Sequence, residues 1–376
     1  MMIACPCCLS GATRRVVLTP SMPVNPCILV RSAKASCDTV RRPIDLHGCA
    51  DCGFLWNAAF DETVVTYDQT YEGTQSHSAY FQRYLQQTAA AWSAELGPDV
   101  DAILEVGCGQ GEFLDVLADK TKARLVGYDP AYRQGGLRRA AINPERLPAS
   151  PKERFPALVN RMTLEHIADP FTFVSHMAEW LTDDGCLVTQ VPNAERMVTN
   201  MLYCDLIYEH VNYFNAFALV RLFERAGFEN NTCHLSYDNQ HLTVFSRRSP
   251  KNFGSDKVIA SQAFDAFSAA ISTFRDDWSD RLARIHDTGS DVFIWGAGSR
   301  ATTFINALRN PEMIAGAIDI NPNRTGTFVQ GTACETHLPE ILRNRANVKV
   351  IAMNPIYATE ISCKLREISS CAELIS

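Results

Sequence analysis

Ala102-Ile103-Leu104-Glu105-Val106-Gly107-Cys108-Gly109-Gln110-Gly111-Glu112 is the stretch on which the architecture turns. Five largely apolar residues read as a buried strand. Three glycines at alternate positions follow, and residues 112–119 then take up a helical pattern. A strand, a glycine turn and a helix in that order let backbone N–H groups and a helix N-terminus come close to a ligand. A dinucleotide loop needs G-x-G-x-x-G/A, and the position five after Gly107 is Glu112, which does not fit. A second strand, 124–129, places the acidic Asp129 at its carboxyl end.

Outward from this unit the alternation continues. Strands are predicted at 157–160 and 186–191, with a helix at 171–181 whose inner face holds Val174, Met177 and Leu181. Upstream, 76–96 reads as a helix with Tyr80, Phe81, Tyr84 and Leu85 on one side. Short strands alternating with amphipathic helices imply an open parallel sheet covered on both faces. A helix over 216–226 stops at Gly227, and 233–237 and 242–246 read as closing strands of the same sheet. The polar run 247–256 marks a boundary. Beyond it Phe264, Phe267, Ile271, Phe274, Trp278, Leu282 and Ile285 recur every three or four residues, which predicts one long helix with an interdomain packing face. A second α/β unit opens at Val292, and its strand leads into Trp295-Gly296-Ala297-Gly298-Ser299-Arg300-Ala301, with Asp319 ending the next strand. This loop fits the dinucleotide fingerprint better than the first one does, and substrate binding, packing and nucleotide binding all stay open for it. The predicted division is 1–75, 76–250, a linking helix 251–290, and 291–376.

The chain of 376 residues carries a net charge of -7, which argues against a nucleic-acid binder with its usual basic footprint. No apolar run approaches the ~18 residues of a membrane span. The first residues show no basic region followed by an apolar core, so the expectation is a cytoplasmic protein without a secretory leader. Seven of the fourteen cysteines fall within the first sixty residues. A chain this long buries a core without disulfide staples, so metal ligation is the better account of that cluster. Cys5-x-x-Cys8 and Cys49-x-x-Cys52 form two knuckles able to share one tetrahedral zinc, and four thiolates leave no open position, so the metal is structural. Cys7 has poorer spacing, and Cys27 and Cys37 are read as bystanders.

Candidate reactive groups gather in three loops: Glu165-His166, Asn193 after Pro192, and Tyr208-Glu209-His210. In an open α/β sheet these loops emerge beyond the carboxyl ends of the strands, where ligands bind. A histidine beside a carboxylate is a natural general base near neutral pH.

Glu105 followed by G-x-G-x-G resembles motif I of the class I S-adenosylmethionine (SAM) methyltransferases. The resemblance implies that Gly107, Cys108, Gly109 and Gly111 face the amino-acid part of SAM, and that Asp129 accepts hydrogen bonds from its ribose. Over nearly the whole chain, the knuckles, this loop, the Glu209-His210-x-x-Tyr213-Phe214 segment and the C-terminal unit resemble the three-domain C-methyltransferases of antibiotic deoxysugar pathways. The implied fold class is α/β: a class I methyltransferase Rossmann-like core, with an N-terminal zinc-binding domain and a C-terminal Rossmann-like α/β domain.

The implied substrate is a small molecule, a nucleotide-linked 4-keto sugar methylated at carbon three through an enolate. By this resemblance His210 is the base, Glu209 its partner and His166 a second active-site histidine. Tyr67 or Tyr71 reaches over the substrate, and the C-terminal unit, with Gly298 and Asn354, helps to build the cleft. The family reads Tyr-x-Glu-His, whereas here Tyr208 directly precedes Glu209 and Ile207 fills the usual tyrosine place. Methylation of oxygen or nitrogen in a natural product, and a non-catalytic binding protein that retains the fold, are the other readings.

Overall fold

The computed structural model describes residues 3–133, 139–247, 261–369 and 371–375. Three sheets organise it. The central one has seven strands in the spatial order Asn230–Ser236, His241–Arg247, Leu181–Pro192, Phe155–Arg161, Ala102–Val106, Arg124–Tyr128, Ala140–Asn143. The last five run parallel, and the two closing strands join antiparallel at the Leu181–Pro192 edge. Ala140–Asn143 lies outside the strands expected from sequence, because a four-residue edge strand with none of its residues buried leaves only a short apolar signal.

Helix Ala79–Leu96 covers one face. Ser78 caps it by accepting from the Phe81 N–H, and Phe81, Tyr84, Leu85, Ala89 and Trp92 are buried at three- and four-residue spacing. On the other face lie Pro170–Glu179 and Ala216–Arg225.

The N-terminal sheet joins Thr13–Pro23, Arg41–Cys49 and Leu55–Asn57 antiparallel. Its fourth strand, Asn212–Tyr213, comes from the middle of the chain and pairs Leu55 with Tyr213 and Trp56 with Asn212. The cysteine region is packed into the protein rather than appended to it. Cys5, Cys7, Cys49, Cys52, Phe54 and Trp56 share a core with Leu219, Leu222 and Phe223. Cys7 Sγ–H donates to the Ala218 carbonyl, and Asn215 Nδ2 donates to the Cys52 carbonyl.

Helix Ser261–His286 carries the aromatic stripe. Phe264 and Phe267 pack against Val16, Leu46 and Leu55 of the N-terminal sheet. Leu282, together with Phe274, Trp278 and Ile285, packs against Ala301 and Phe304 of the C-terminal unit. That unit is a five-stranded parallel sheet in the order Thr336–His337, Ile314–Ile318, Asp291–Trp295, Val348–Ala352, Ala372–Ile375. The polar boundary read over 247–256 lies, beyond Arg247, outside the described residues. Among the described residues no helix is long and apolar enough to cross a membrane.

Candidate active site

Beyond the carboxyl ends of Ala102–Val106 and Phe155–Arg161 opens a cavity of about 2100 Å³, walled by all three regions of the chain. At one end stands the glycine loop. Gly107, Gly109 and Gly111 have φ of +74°, +56° and +79°, a left-handed conformation that favours glycine. A Cβ on Gly107 would collide with the Thr163 side chain, whereas the same position on Gly109 faces open space. Gly111 turns the chain into helix Glu112–Leu117 and does not line the cavity. Cys108 does line it, with its thiol packed close over Gly127 and its pKa pushed up by burial.

Asp129 holds the loop together. Its Oδ2 accepts from the Gly109 N–H at 2.7 Å and its Oδ1 from the Ala131 N–H at 2.7 Å. Burial raises its pKa against these two hydrogen bonds. Each oxygen keeps a second lone pair for a ligand hydroxyl. Glu105, buried at the cavity wall, is pushed up to about 7 by burial, and its Oε2 has no hydrogen-bond partner among the described residues. An orphaned carboxylate oxygen beside open glycine backbone suits a ligand that carries a cationic ammonium and neighbouring hydroxyls.

Two histidines also meet on the cavity wall. The His166 and His210 rings stand edge to face with centroids 4.8 Å apart. Glu165 Oε1 lies 4.0 Å from His166 Nε2, and the three groups offer atoms within 4.8 Å of one another. Their loops are stitched by backbone. Val211 N–H donates to the Glu165 carbonyl at 2.8 Å, and Asn212 Nδ2 donates to the carbonyls of Leu164 and Ile167 at 3.0 and 2.7 Å. His166 Nδ1 is 2.8 Å from Tyr67 Oη and 3.1 Å from the Glu209 carbonyl. A carbonyl can only accept, so a hydrogen on Nδ1 satisfies this contact, and in that tautomer Nε2 is the free acceptor. Burial pulls His166 down to about 4, and pulls His210 well below its ordinary value with help from His166 and Arg300. Both imidazoles are therefore neutral at pH 7. Burial pushes Glu165 up to about 8.

Two of the expected catalytic residues face elsewhere. The His210 N–H donates to the Ile207 carbonyl, closing a turn with Tyr208 and Glu209 at its centre. Ile207 and His210 line the cavity. Tyr208 points into the N-terminal core, stacks near Phe60 and accepts from the Asp61 N–H at 3.0 Å. The Glu209 carboxylate turns away from His210 and accepts from Tyr71 Oη at 3.2 Å, with burial pushing it up to about 8. The carboxylate nearest the histidines is thus Glu165. Its only sequence signal is its place beside His166, because a buried acid is indistinguishable there from a surface one.

Tyr67, Tyr71, Asn193, Gly298 and Asn354 all reach the cavity wall. Asn193 spends its amide on the Glu195 N–H and the Asn239 carbonyl, and Asn354 pairs with the Gln240 amide. Arg300, beyond the second glycine loop, forms a half-buried ion pair with Asp205 and donates to Gln240 Oε1 at 3.3 Å. Its only sequence signal is its place directly after Gly298-Ser299.

The four expected metal ligands converge apart from the cavity. Cys5 and Cys52 have sulfurs 3.6 Å apart, as do Cys8 and Cys49, and all four lie within 4.8 Å of one another. A disulfide would need about 2.05 Å. Zn–S bonds of ~2.3 Å in a tetrahedron put the sulfurs roughly 3.8 Å apart, so the cluster fits zinc.

Residues 80–232 match the family model described as a methyltransferase domain, and residues 252–373 match the C-methyltransferase C-terminal domain. A protein of Mycolicibacterium smegmatis described as "Probable S-adenosylmethionine-dependent methyltransferase" is 30% identical over 185 residues, covering 46% of this chain and 68% of its own. Among solved structures, the N-methyltransferase NodS of Bradyrhizobium japonicum WM9 is similar at 21% identity and a TM-score of 0.34, over 46% of this chain and 99% of that one. The magnesium protoporphyrin IX methyltransferase of Synechocystis PCC 6803 aligns at 16% identity and a TM-score of 0.34, over 45% and 83%. With the glycine loop, the orphaned Glu105 oxygen and Asp129 gathered at the carboxyl edge of the central sheet, the chain belongs to the S-adenosylmethionine-dependent methyltransferases.

Proposed function

We propose that the enzyme methylates a carbon atom next to a carbonyl in a small biosynthetic intermediate, a nucleotide-linked keto sugar being the best candidate. The observation that carries this reading is the pair of neutral, half-buried imidazoles, His166 and His210, beside Glu165 in the cavity that the glycine loop also lines. Removal of a proton from a carbon next to a carbonyl leaves an electron pair delocalised as an enolate, and a neutral imidazole is the kind of base that takes such a proton. The match of residues 252–373 to a C-methyltransferase domain supports the same reading.

Glu105, Gly107, Gly109 and Asp129 would hold SAM, which when bound supplies an electrophilic methyl group. His210 takes the α-proton and becomes an imidazolium, which the neighbouring Glu165 carboxylate stabilises when ionised. His166 is held by Tyr67 and the Glu209 carbonyl, with Nε2 turned to the same space. Tyr71, tied to Glu209, closes the wall above it. The cysteine cluster would hold a structural zinc within a 1–75 domain, beside a 76–250 methyltransferase domain, a 251–290 linking segment that contains helix Ser261–His286, and a 291–376 substrate-side domain.

The reading is tested by incubating the protein with methyl-labelled SAM and nucleotide-linked keto sugars. Label on carbon, located by mass and NMR, supports it; label on oxygen or nitrogen overturns it. Asp129→Ala should weaken binding of S-adenosylhomocysteine in calorimetry by roughly tenfold or more. It removes a charged acceptor for hydroxyls and also the clasp on Gly109.

A further inference from the structure

Residues 58–78 form a strap between strand Leu55–Asn57 and helix Ala79–Leu96, and it walls the cavity. Tyr67 and Tyr71 belong to it. The residue after Tyr71 is Glu72, whose side chain is fully buried. Its Oε1 accepts from Asn321 Nδ2 at 3.1 Å. Its Oε2 accepts from Asn323 Nδ2 at 3.1 Å and from the Arg133 guanidinium at 3.1 Å. Its own carbonyl accepts from Arg324, which also donates to the Ala297 carbonyl at 3.1 Å. One carboxylate therefore joins the strap, the C-terminal unit and the cofactor side of the central sheet.

Arg133 makes this junction conditional. It follows Asp129, Pro130 and Ala131 along the cavity wall, and its N–H donates to Gln110 Oε1, inside the glycine loop, at 3.0 Å. It is the only cation whose side chain forms an ion pair with the Glu72 carboxylate among the described residues. With Arg133 withdrawn, the buried carboxylate would keep two neutral amides, with Arg324 on its backbone carbonyl, but lose its ion-pair partner, an arrangement that disfavours the closed strap. A ligand that orders the glycine loop and residues 129–133 presents Arg133, and by linkage favours the strap position that sets Tyr67 against His166 and Tyr71 against Glu209. We propose that Glu72 is the positioning residue through which cofactor occupancy sets the strap over the substrate end of the cavity.

This inference rests on the placement of SAM against the 107–111 loop, and the test separates the two. Hydrogen exchange is followed by mass spectrometry on the full chain, with and without saturating S-adenosylhomocysteine. In the wild type, the product should slow exchange at 105–111 and also across 64–72. In Glu72→Gln, affinity should fall roughly tenfold, the scale of one charge-assisted hydrogen bond. Protection of 105–111 should survive at saturation while protection of 64–72 is lost. Arg133→Gln alters the partly exposed partner and should uncouple the strap in the same way, even if Glu72→Gln folds poorly. Ligand-dependent protection of 64–72 that persists in the variants, or its absence in the wild type, overturns the role of Glu72. A wild type that binds the product without protecting 105–111 overturns the cofactor placement instead.

Discussion

His210→Asn should lower turnover by the ~10²–10⁴ characteristic of a lost general base, while affinity for S-adenosylhomocysteine stays unchanged. Asparagine keeps much of the shape and removes the basic nitrogen. His210 lines the cavity, and among the described residues no hydrogen bond joins it to the glycine loop or Asp129, so cofactor binding does not require it. The pH profile carries a second signature. Burial keeps both imidazoles neutral at pH 7 and pushes Glu165 up to about 8. Below that value Glu165 is protonated and the cluster has no charge to offer an incoming proton; above it, a carboxylate faces the imidazolium. Turnover should therefore rise with pH through about 8, and Glu165→Gln should lower the rate and flatten that limb. His166→Asn should cost less than His210→Asn. The reverse order would transfer the base to His166, and loss of product binding in His210→Asn would make that histidine structural.

Metal removal should abolish turnover without abolishing cofactor binding. Protein purified without added zinc should hold about one equivalent per chain by elemental analysis, and Cys49→Ser should hold none. Closed four-cysteine zinc sites contribute ~10–16 kcal/mol in zinc-finger peptides, a scale that no small N-terminal sheet replaces. The consequence reaches the cavity through a short covalent path. Cys52 is followed by Leu55–Asn57, which pairs with Asn212–Tyr213, and the Asn57 N–H donates to the Val211 carbonyl at 2.9 Å. His210 directly precedes that pairing. Loss of the knuckles frees the strand that registers the base, while the glycine loop stands on the central sheet and should still bind S-adenosylhomocysteine. Zinc-free protein with full turnover, or a disulfide among Cys5, Cys8, Cys49 and Cys52, would refute this account.

Features with a local physical cause were legible in the linear chain. The glycine loop reads from sequence because left-handed backbone at Gly107, Gly109 and Gly111 selects against other side chains. The cysteine knuckles read because two thiols three residues apart can face one point, and the fold brings all four sulfurs together. The aromatic stripe on Ser261–His286 reads because its period is that of a helix, although its two halves serve different sheets. Direction at turns was not legible. Tyr208 and Glu209 stand next to His210 in sequence, yet the turn closed on Ile207 sends one into the N-terminal core and the other to Tyr71.

The sequence by itself determined which residues could bend the chain, ligate a metal or follow a helical face, since those properties belong to a few neighbouring residues. Only the tertiary structure decided which groups meet: Glu165 rather than Glu209 beside the histidines, Asn212 stitching their two loops, Glu72 joining three regions. Each of those meetings depends on burial and on partners far away along the chain. The free energy of a buried charge or an unpaired amide is set by what packs around it, and no local pattern encodes that.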